Sequence, residues 1–261
     1  MTPYDIVVSL LDDGIYIASV SSFYRVLREE KLLTHRCNSK RRKSREKPVE
    51  RKATEINKVW CWDITWLPKT VKGYFFYGYL IIDIYDRTIV GWAVHETESE
   101  KLALELFKDT VCRQDVRFEY LHSDNGTPMK GVSLNAFLKN MDVSLSYSRP
   151  RVSNDNPFIE SFFRTLKYKP EYPQRFRNIE EARDWMANFV NWYNTEHLHS
   201  ALDYVTPSQV RSGEAENIFN NRNEVMKKAK MKNPERWGSR NLKIWGNPGE
   251  VILNKKRRHF C

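Results

Sequence analysis

Paired cysteines are missing from this sequence. Its four, Cys37, Cys61, Cys112 and Cys261, are scattered with no close spacing, and the six histidines complete no zinc pattern around them. A disulfide framework and a structural zinc site are therefore not expected, and a reducing compartment is. Long apolar runs are missing too. Tyr79-Leu-Ile-Ile82 is far short of the ~20 residues that span a bilayer, and the first residues lack the apolar core of a secretory signal. The expectation is a soluble intracellular protein with no membrane partner.

What is present in excess is positive charge. Lys and Arg number 43 against 33 Asp and Glu, a formal charge of +10 over 261 residues. A surplus of that size suits a polyanion such as DNA or RNA. The length allows one substantial core with small appendages.

Four segments follow from texture. Residues 1–33 read as two short helices around a turn at Asp13-Gly14, the second opening near Ser21-Ser22 as caps. The pair fits a helix-turn-helix with Tyr24, Arg25 and Arg28 facing outwards, and equally a small helical hairpin. Residues 34–54 form a basic linker in which Lys40, Arg41, Arg42 and Lys43 could track phosphates. A catalytic-sized core occupies 55–212. A basic segment, 213–261, ends in Lys255-Lys-Arg-Arg258, read as a solvated tail with phosphate contact as an extra.

Within the core, aromatic and β-branched runs predict strands at 59–67, 74–84 and 88–95, with Lys72-Gly73 as the first turn. Ser99 opens a helix through Leu102, Leu106 and Val111. A strand at 118–122, a helix at 133–141, a strand at 143–148 and helices at 157–168 and 180–195 complete the order. This is an α/β fold with the element order of a ribonuclease-H-like mixed sheet flanked by helices.

Three carboxylates stand out. Asp63 lies inside the first strand, where an unpaired carboxylate is disfavoured and needs compensation. Asp124 follows the fourth strand directly, at the kind of strand end where ligands collect in α/β sheets. Glu160 sits on a helix with Asn156 at the cap position and Pro157 at the first helical position. On that helix Ile159, Phe162, Phe163 and Leu166 form an apolar stripe, while Glu160, Arg164 and Lys167 form a polar ridge about a third of a turn away. The bland alternative for the ridge is a Glu160 to Arg164 salt bridge. Phosphodiester cleavage and joining call for an activated oxygen nucleophile and a stabilised leaving oxygen. Two Mg²⁺ ions roughly 4 Å apart, or Mn²⁺ in their place, meet both needs in a cradle of carboxylate oxygens.

In context these residues resemble the catalytic, second-reading-frame subunit of bacterial insertion-sequence DDE transposases, whose core is similar to retroviral integrases. The resemblance is carried by Trp60-Cys-Trp-Asp-Ile-Thr65, by Leu121-His-Ser-Asp-Asn-Gly126, and by Ser148-Arg-Pro-Arg-Val-Ser-Asn-Asp-Asn-Pro157 leading into Glu160. Asp124 and Glu160 have 35 residues between them, the spacing of the family's D, D-35-E pattern. It covers roughly residues 55–245, with Trp192-Tyr-Asn194 and His199-Ser-Ala-Leu202 to Thr206-Pro207 included. His197-Leu198 and Asp203 depart from the pattern.

The resemblance implies Asp63, Asp124 and Glu160 as catalytic metal ligands and Lys167 as a contact to DNA near the reacting end, with Arg164, Arg149 and Arg151 as further DNA-binding candidates. It also implies double-stranded DNA as substrate at both element ends and target, a homo-oligomer on DNA, the product of an upstream reading frame as partner, and the bacterial cytoplasm as location. Asp83 and Asp86 are substitute carboxylates, and His199 reads as a packed or capping residue. The rival reading is a non-enzymatic DNA-binding regulator derived from a transposase; a nuclease acting on RNA-DNA hybrids or branched DNA is a third.

Overall fold

The computed structural model describes residues 3–32, 48–149, 155–247 and 249–255. The chain divides into two compact units, 1–45 and 46–261.

In the first unit, α1 (Pro3–Asp12) and α2 (Val20–Glu29) are joined through Gly14, whose φ of +75° suits a residue without Cβ. The cap of α2 is Ser19, whose hydroxyl accepts from Ser22 N at 3.3 Å, rather than Ser21-Ser22. Val20 thus takes the first helical position, and Ser22, two residues on, supplies the donor N–H to the cap. Helix α2 buries none of its residues, and Tyr24, Arg25 and Arg28 are exposed as expected. A two-helix hairpin is what the described residues contain.

The second unit is built on the β-branched and aromatic runs. Strand β2 (Val59–Pro68) pairs antiparallel with β3 (Phe75–Asp83), and β3 pairs antiparallel with β4 (Ile89–His95). Beyond α3 (Glu100–Gln114), strand β5 (Tyr120–Ser123) returns parallel to β2, and after α4 (Val132–Asn140) strand β6 (Ser144–Tyr147) extends the parallel half. The sheet order is β4-β3-β2-β5-β6.

Because side chains alternate across a strand, β2 feeds two cores. Val59, Cys61 and Leu67 face one side, where α5 (Pro157–Tyr168) and α6 (Ile179–Thr195) cover them with Ile159, Phe162, Leu166, Met186 and Phe189. Trp60 and Trp62 face the other, covered by α3 and α4 through Ala103, Phe107, Leu134 and Leu138. Gly91 of β4 lies against Thr110 of α3, where a Cβ would collide with the threonine side chain, so α3 packs close because of that glycine.

Residues assigned by sequence to the linker and the tail belong to this unit's core. Strand β1 (Arg51–Ala53) pairs antiparallel with β7 (Val251–Leu253), and Ala53 and Leu253 are fully buried. Between them in sequence lie α7 (Pro207–Arg211) and α8 (Ala215–Lys232), the latter an 18-residue helix that buries only Ala215 and Phe219. Among the described residues no helix is long and apolar enough to cross a membrane.

Candidate active site

Asp63 and Asp124 both lie just past the end of the β2–β5 ladder. In that parallel pair the last paired positions are Trp62 and Ser123; Asp63 continues β2, Asp124 is the first residue beyond β5, and the charge of Asp124 acts on Asp63. Side chains alternate along a strand, so Asp63 shares the face of Cys61, two residues back on β2, and it is the face α5 covers. The sheet and the Glu160 helix therefore approach the same edge of β2.

Asp63 is partly buried, and among the described residues its Oδ1 accepts only the N–H of Ile64, at 2.8 Å. Its carboxyl is pushed up to about 7, first by burial, then by the charge of Asp124, with Glu160 and Glu98 adding to it. Asp124 leaves the end of β5 in a tight turn, its Oδ1 accepting from Gly126 N at 2.8 Å. A Cβ at Gly126 would press on Met129 Sδ, so the methionine side chain would have to shift.

Glu160 stands in the first turn of α5 and is exposed, while Ile159, Phe162 and Leu166 are buried. The apolar stripe thus docks the helix as its periodicity predicts, with Phe163 partly buried beside it. Burial, and then the charge of Asp155, raise the Glu160 carboxyl. Among the described residues Glu160 forms no ion pair with Arg164, whose guanidinium instead lies 5.7 Å from the Tyr168 ring centroid. Asn156 holds the cap position, but its side chain makes no capping bond.

Among the described residues no three His, Cys, Asp or Glu side chains form a group that could hold a metal ion. Two aspartates are brought together and the glutamate approaches from the helix, short of a closed three-ligand cluster. The chemistry of the donor set nevertheless suits a hard divalent cation. The donors are carboxylate oxygens, Asp63 is set deep in the sheet, and its strongest charged neighbours are other acids.

The expected DNA-binding residues separate. Arg164 and Lys167 are exposed on α5, and Arg25 and Arg28 on α2. Arg149 instead grips the fully buried Asp155, Nε to Oδ2 at 2.8 Å and a terminal nitrogen to Oδ1 at 2.9 Å. Its guanidinium is engaged by an internal carboxylate. Arg151, Lys40, Arg41, Arg42 and Lys43 lie outside the described residues.

Asp83 and Asp86 are not substitute metal ligands in this arrangement. Arg211 of α7 donates to Asp86 Oδ2 at 2.6 Å and to Asp83 Oδ2 at 3.0 Å. Backbone N–H groups of Tyr85 and Thr88 donate to the other two oxygens, Asp83 Oδ1 and Asp86 Oδ1, and that of Asn57 adds to Asp83 Oδ2. Burial and Asp86 push the Asp83 carboxyl upwards while Arg211 and the amides oppose the rise.

Two histidines are structural. His122, fully buried, bonds Ser146 Oγ through Nδ1 at 3.0 Å and Ser148 Oγ through Nε2 at 3.2 Å, and burial lowers it to about 4. It stitches β5 to β6 directly behind Asp124. His199 caps a short turn, its Nδ1 accepting from Ala201 N at 3.1 Å.

Sequence reasoning did not find Arg211, Asp155 or His122 as parts of the site's support. For α7 the signal was present: Thr206-Pro-Ser-Gln209 is a capping box with proline at its first position.

Two integrase core domain models match the chain, one at residues 53–153 and one at 141–207. Together with the mixed sheet and its helices, they place the chain in the integrase core family, with a ribonuclease-H-like fold. Its curated relatives there are insertion-sequence transposases. The transposase for insertion sequence element IS904 of Lactococcus lactis is 31% identical over 158 residues, covering 60% of this chain and 62% of that protein. Transposase InsF for insertion sequence IS3A of Escherichia coli is 28% identical over 159 residues, covering 60% of this chain and 54% of that protein. The matches thus span a little over half the length of these relatives. Among solved structures, a chain of the simian T-cell lymphotropic virus intasome shares the fold, with TM-score 0.51, 14% identity, and coverage of 78% of this chain and 69% of that one.

Proposed function

We propose that this protein is a metal-dependent polynucleotidyl transferase that cuts and joins DNA at the ends of a mobile element, with Asp63, Asp124 and Glu160 as its catalytic carboxylates. The observation that supports the reading is that Asp63 and Asp124 directly follow the last paired positions of the parallel β2–β5 ladder, Trp62 and Ser123, with Glu160 near enough for its charge, like that of Asp124, to act on Asp63. Two like charges placed together in a partly buried site are costly unless something positive joins them.

Mg²⁺, or Mn²⁺ in its place, would supply that charge, lowering the pKa of a water nucleophile and stabilising the leaving oxygen. Asp63 and Asp124 would hold the position between the strands, and Glu160 would close it from α5. Cleavage adds a water oxygen to phosphorus and releases the 3′-oxygen, which leaves as a hydroxyl. In joining, that 3′-hydroxyl adds to a target phosphorus and displaces the target's own 3′-oxygen, so one phosphodiester is exchanged for another. Arg164 and Lys167, exposed one and two turns beyond Glu160, would position phosphates. The relatives' identity as transposases supports DNA as the substrate; a homo-oligomer as the working form and the product of an upstream reading frame as a partner belong to the same proposal.

The test is strand transfer on supercoiled plasmid carrying element ends, with Mg²⁺ and with EDTA, for the native chain and Glu160→Gln. Metal-dependent products lost in a folded, DNA-binding Glu160→Gln variant are expected. Products that persist in that variant overturn the assignment, and native binding to DNA without products, even with the upstream-frame partner added, favours a regulator.

A further inference from the structure

A cavity of about 240 Å³ lies on the flank of α5, beside the ridge that carries Glu160. Its polar lining comes from Arg87, Ser161, Thr165, Tyr193 and His199, with Phe158 among its apolar walls and, among the described residues, no carboxylate. We propose that this cavity is a binding site for a phosphate group, separate from the carboxylate site and centred on Arg87.

Arg87 is 8% exposed, and among the described residues its buried Nε has no hydrogen-bond partner. Its guanidinium lies over the Phe158 ring at 4.3 Å, which leaves the in-plane N–H donors uncommitted. The obvious internal role, neutralising Asp83 and Asp86, is already filled. Arg211 bonds both carboxylates directly, and amide donors take further oxygens. A buried guanidinium without hydrogen bonds is expensive. Arg87 also sits at φ 64°, a conformation uncommon for a residue with a Cβ, which marks the turn between β3 and β4 as strained.

The other polar groups agree in sign. Since Ala201 N–H donates to His199 Nδ1, the neutral ring carries its proton on Nε2 and offers a second donor. Burial, followed by the charges of Arg87 and His197, lowers His199 to about 4, so the ring is neutral at physiological pH. Tyr193 and Ser161 hydroxyls complete a set that can donate to an oxyanion. Two carboxylates stand behind Arg87, so the favoured ligand is one held by directed donors as well as by charge. A phosphate oxygen, bound by the planar guanidinium fork, is such a ligand.

A nucleic-acid backbone or a free phosphate could supply the same group. The backbone source rests on the functional reading above; the site itself does not. Inorganic phosphate is titrated into the full chain by calorimetry at constant ionic strength, alongside Arg87→Lys and Ser161→Glu. Ser161 is exposed, and a glutamate there sets a competing carboxylate at the cavity without touching the buried arginine. Saturable binding by the native chain, weakened about tenfold or more in each folded variant, is expected from loss of charge-assisted bonds. No saturable binding by the native chain, or equal binding by Ser161→Glu, overturns the proposal.

Duplex DNA with single methylphosphonates then assigns the source. One position whose neutralisation weakens binding by the native chain but not by Ser161→Glu identifies a backbone phosphate. Phosphate binding with no such position identifies a free anion. Failure of strand transfer by the native chain would remove the functional reading and leave the phosphate titration unaffected.

Discussion

Arg149 and Asp155 form a two-point ion pair, and Arg149 adds its backbone N–H to Asp155 Oδ2 at 2.9 Å. The pair joins the residues just after β6 to the cap of α5, the helix that carries Glu160. Arg149→Ala should therefore lower the urea midpoint and Tm, because a buried carboxylate loses its partner. Arg164→Ala and Lys167→Ala should leave the midpoint unchanged while weakening DNA binding and flattening its salt dependence. Urea melts and salt-series binding on the same preparations separate the two classes.

Arg211 is a harsher case. Its removal leaves Asp83 and Asp86, both fully buried, without their shared counter-charge. Arg211→Ala should destabilise the protein by about 3–5 kcal/mol, read from urea unfolding at pH 7. A change under about 1 kcal/mol, the size of a surface pair, would show that the amide donors alone hold the carboxylates.

Leu253 tests how the C-terminal segment is built. Fully buried opposite Arg51 in the two-stranded sheet, it should cost about 2–4 kcal/mol as Leu253→Ala. A solvated tail would give no measurable change.

Asp63 carries a pH signature. Its folded value, about 7, stands above the ordinary carboxylate value. In metal-free protein its contribution favours folding below pH 4, and this is lost as pH rises through about 7. Asp63→Asn removes that loss, so the variant should gain on the native chain between pH 4 and 8. The gain should be on the order of 2–4 kcal/mol, measured by urea melts in EDTA. A pH-independent difference would contradict the burial and repulsion described.

The sheet was legible because its strands are locally coded. The run from Val59 reads as a strand and is one, to Pro68, and Lys72-Gly73 turns it back, with Gly73 at φ +90°. The edges slipped where packing decides. The run at 118–122 predicts a strand that includes Phe118, but Phe118 precedes β5 and its ring stacks on that of Trp60 with centroids 4.0 Å apart. Helix α8 was not read because it buries only Ala215 and Phe219 along 18 residues, which leaves little apolar period to detect.

The unread parts of the site are long-range. Asp63 and Asp124 could be named from their local settings, yet nothing local says that Trp62 lies opposite Ser123. Arg211 reaches Asp83 and Asp86 across 128 and 125 positions, and β1 finds β7 about 200 residues away. Such pairings are set by the closed fold and leave no periodic trace in the chain. Arg149 illustrates the converse: a cation beside a motif looked available for DNA, and Asp155 six positions on had engaged it.

Asp63 and Asp124 are proposed to bind a divalent cation jointly. Calorimetric titration of Mn²⁺ into the native chain, Asp63→Asn and Asp124→Asn at pH 7.5, without DNA, tests it most directly. Saturable binding by the native chain and a loss of about tenfold or more in each folded variant are expected, in line with the removal of one charged ligand. Equal Mn²⁺ affinity in all three proteins would contradict it.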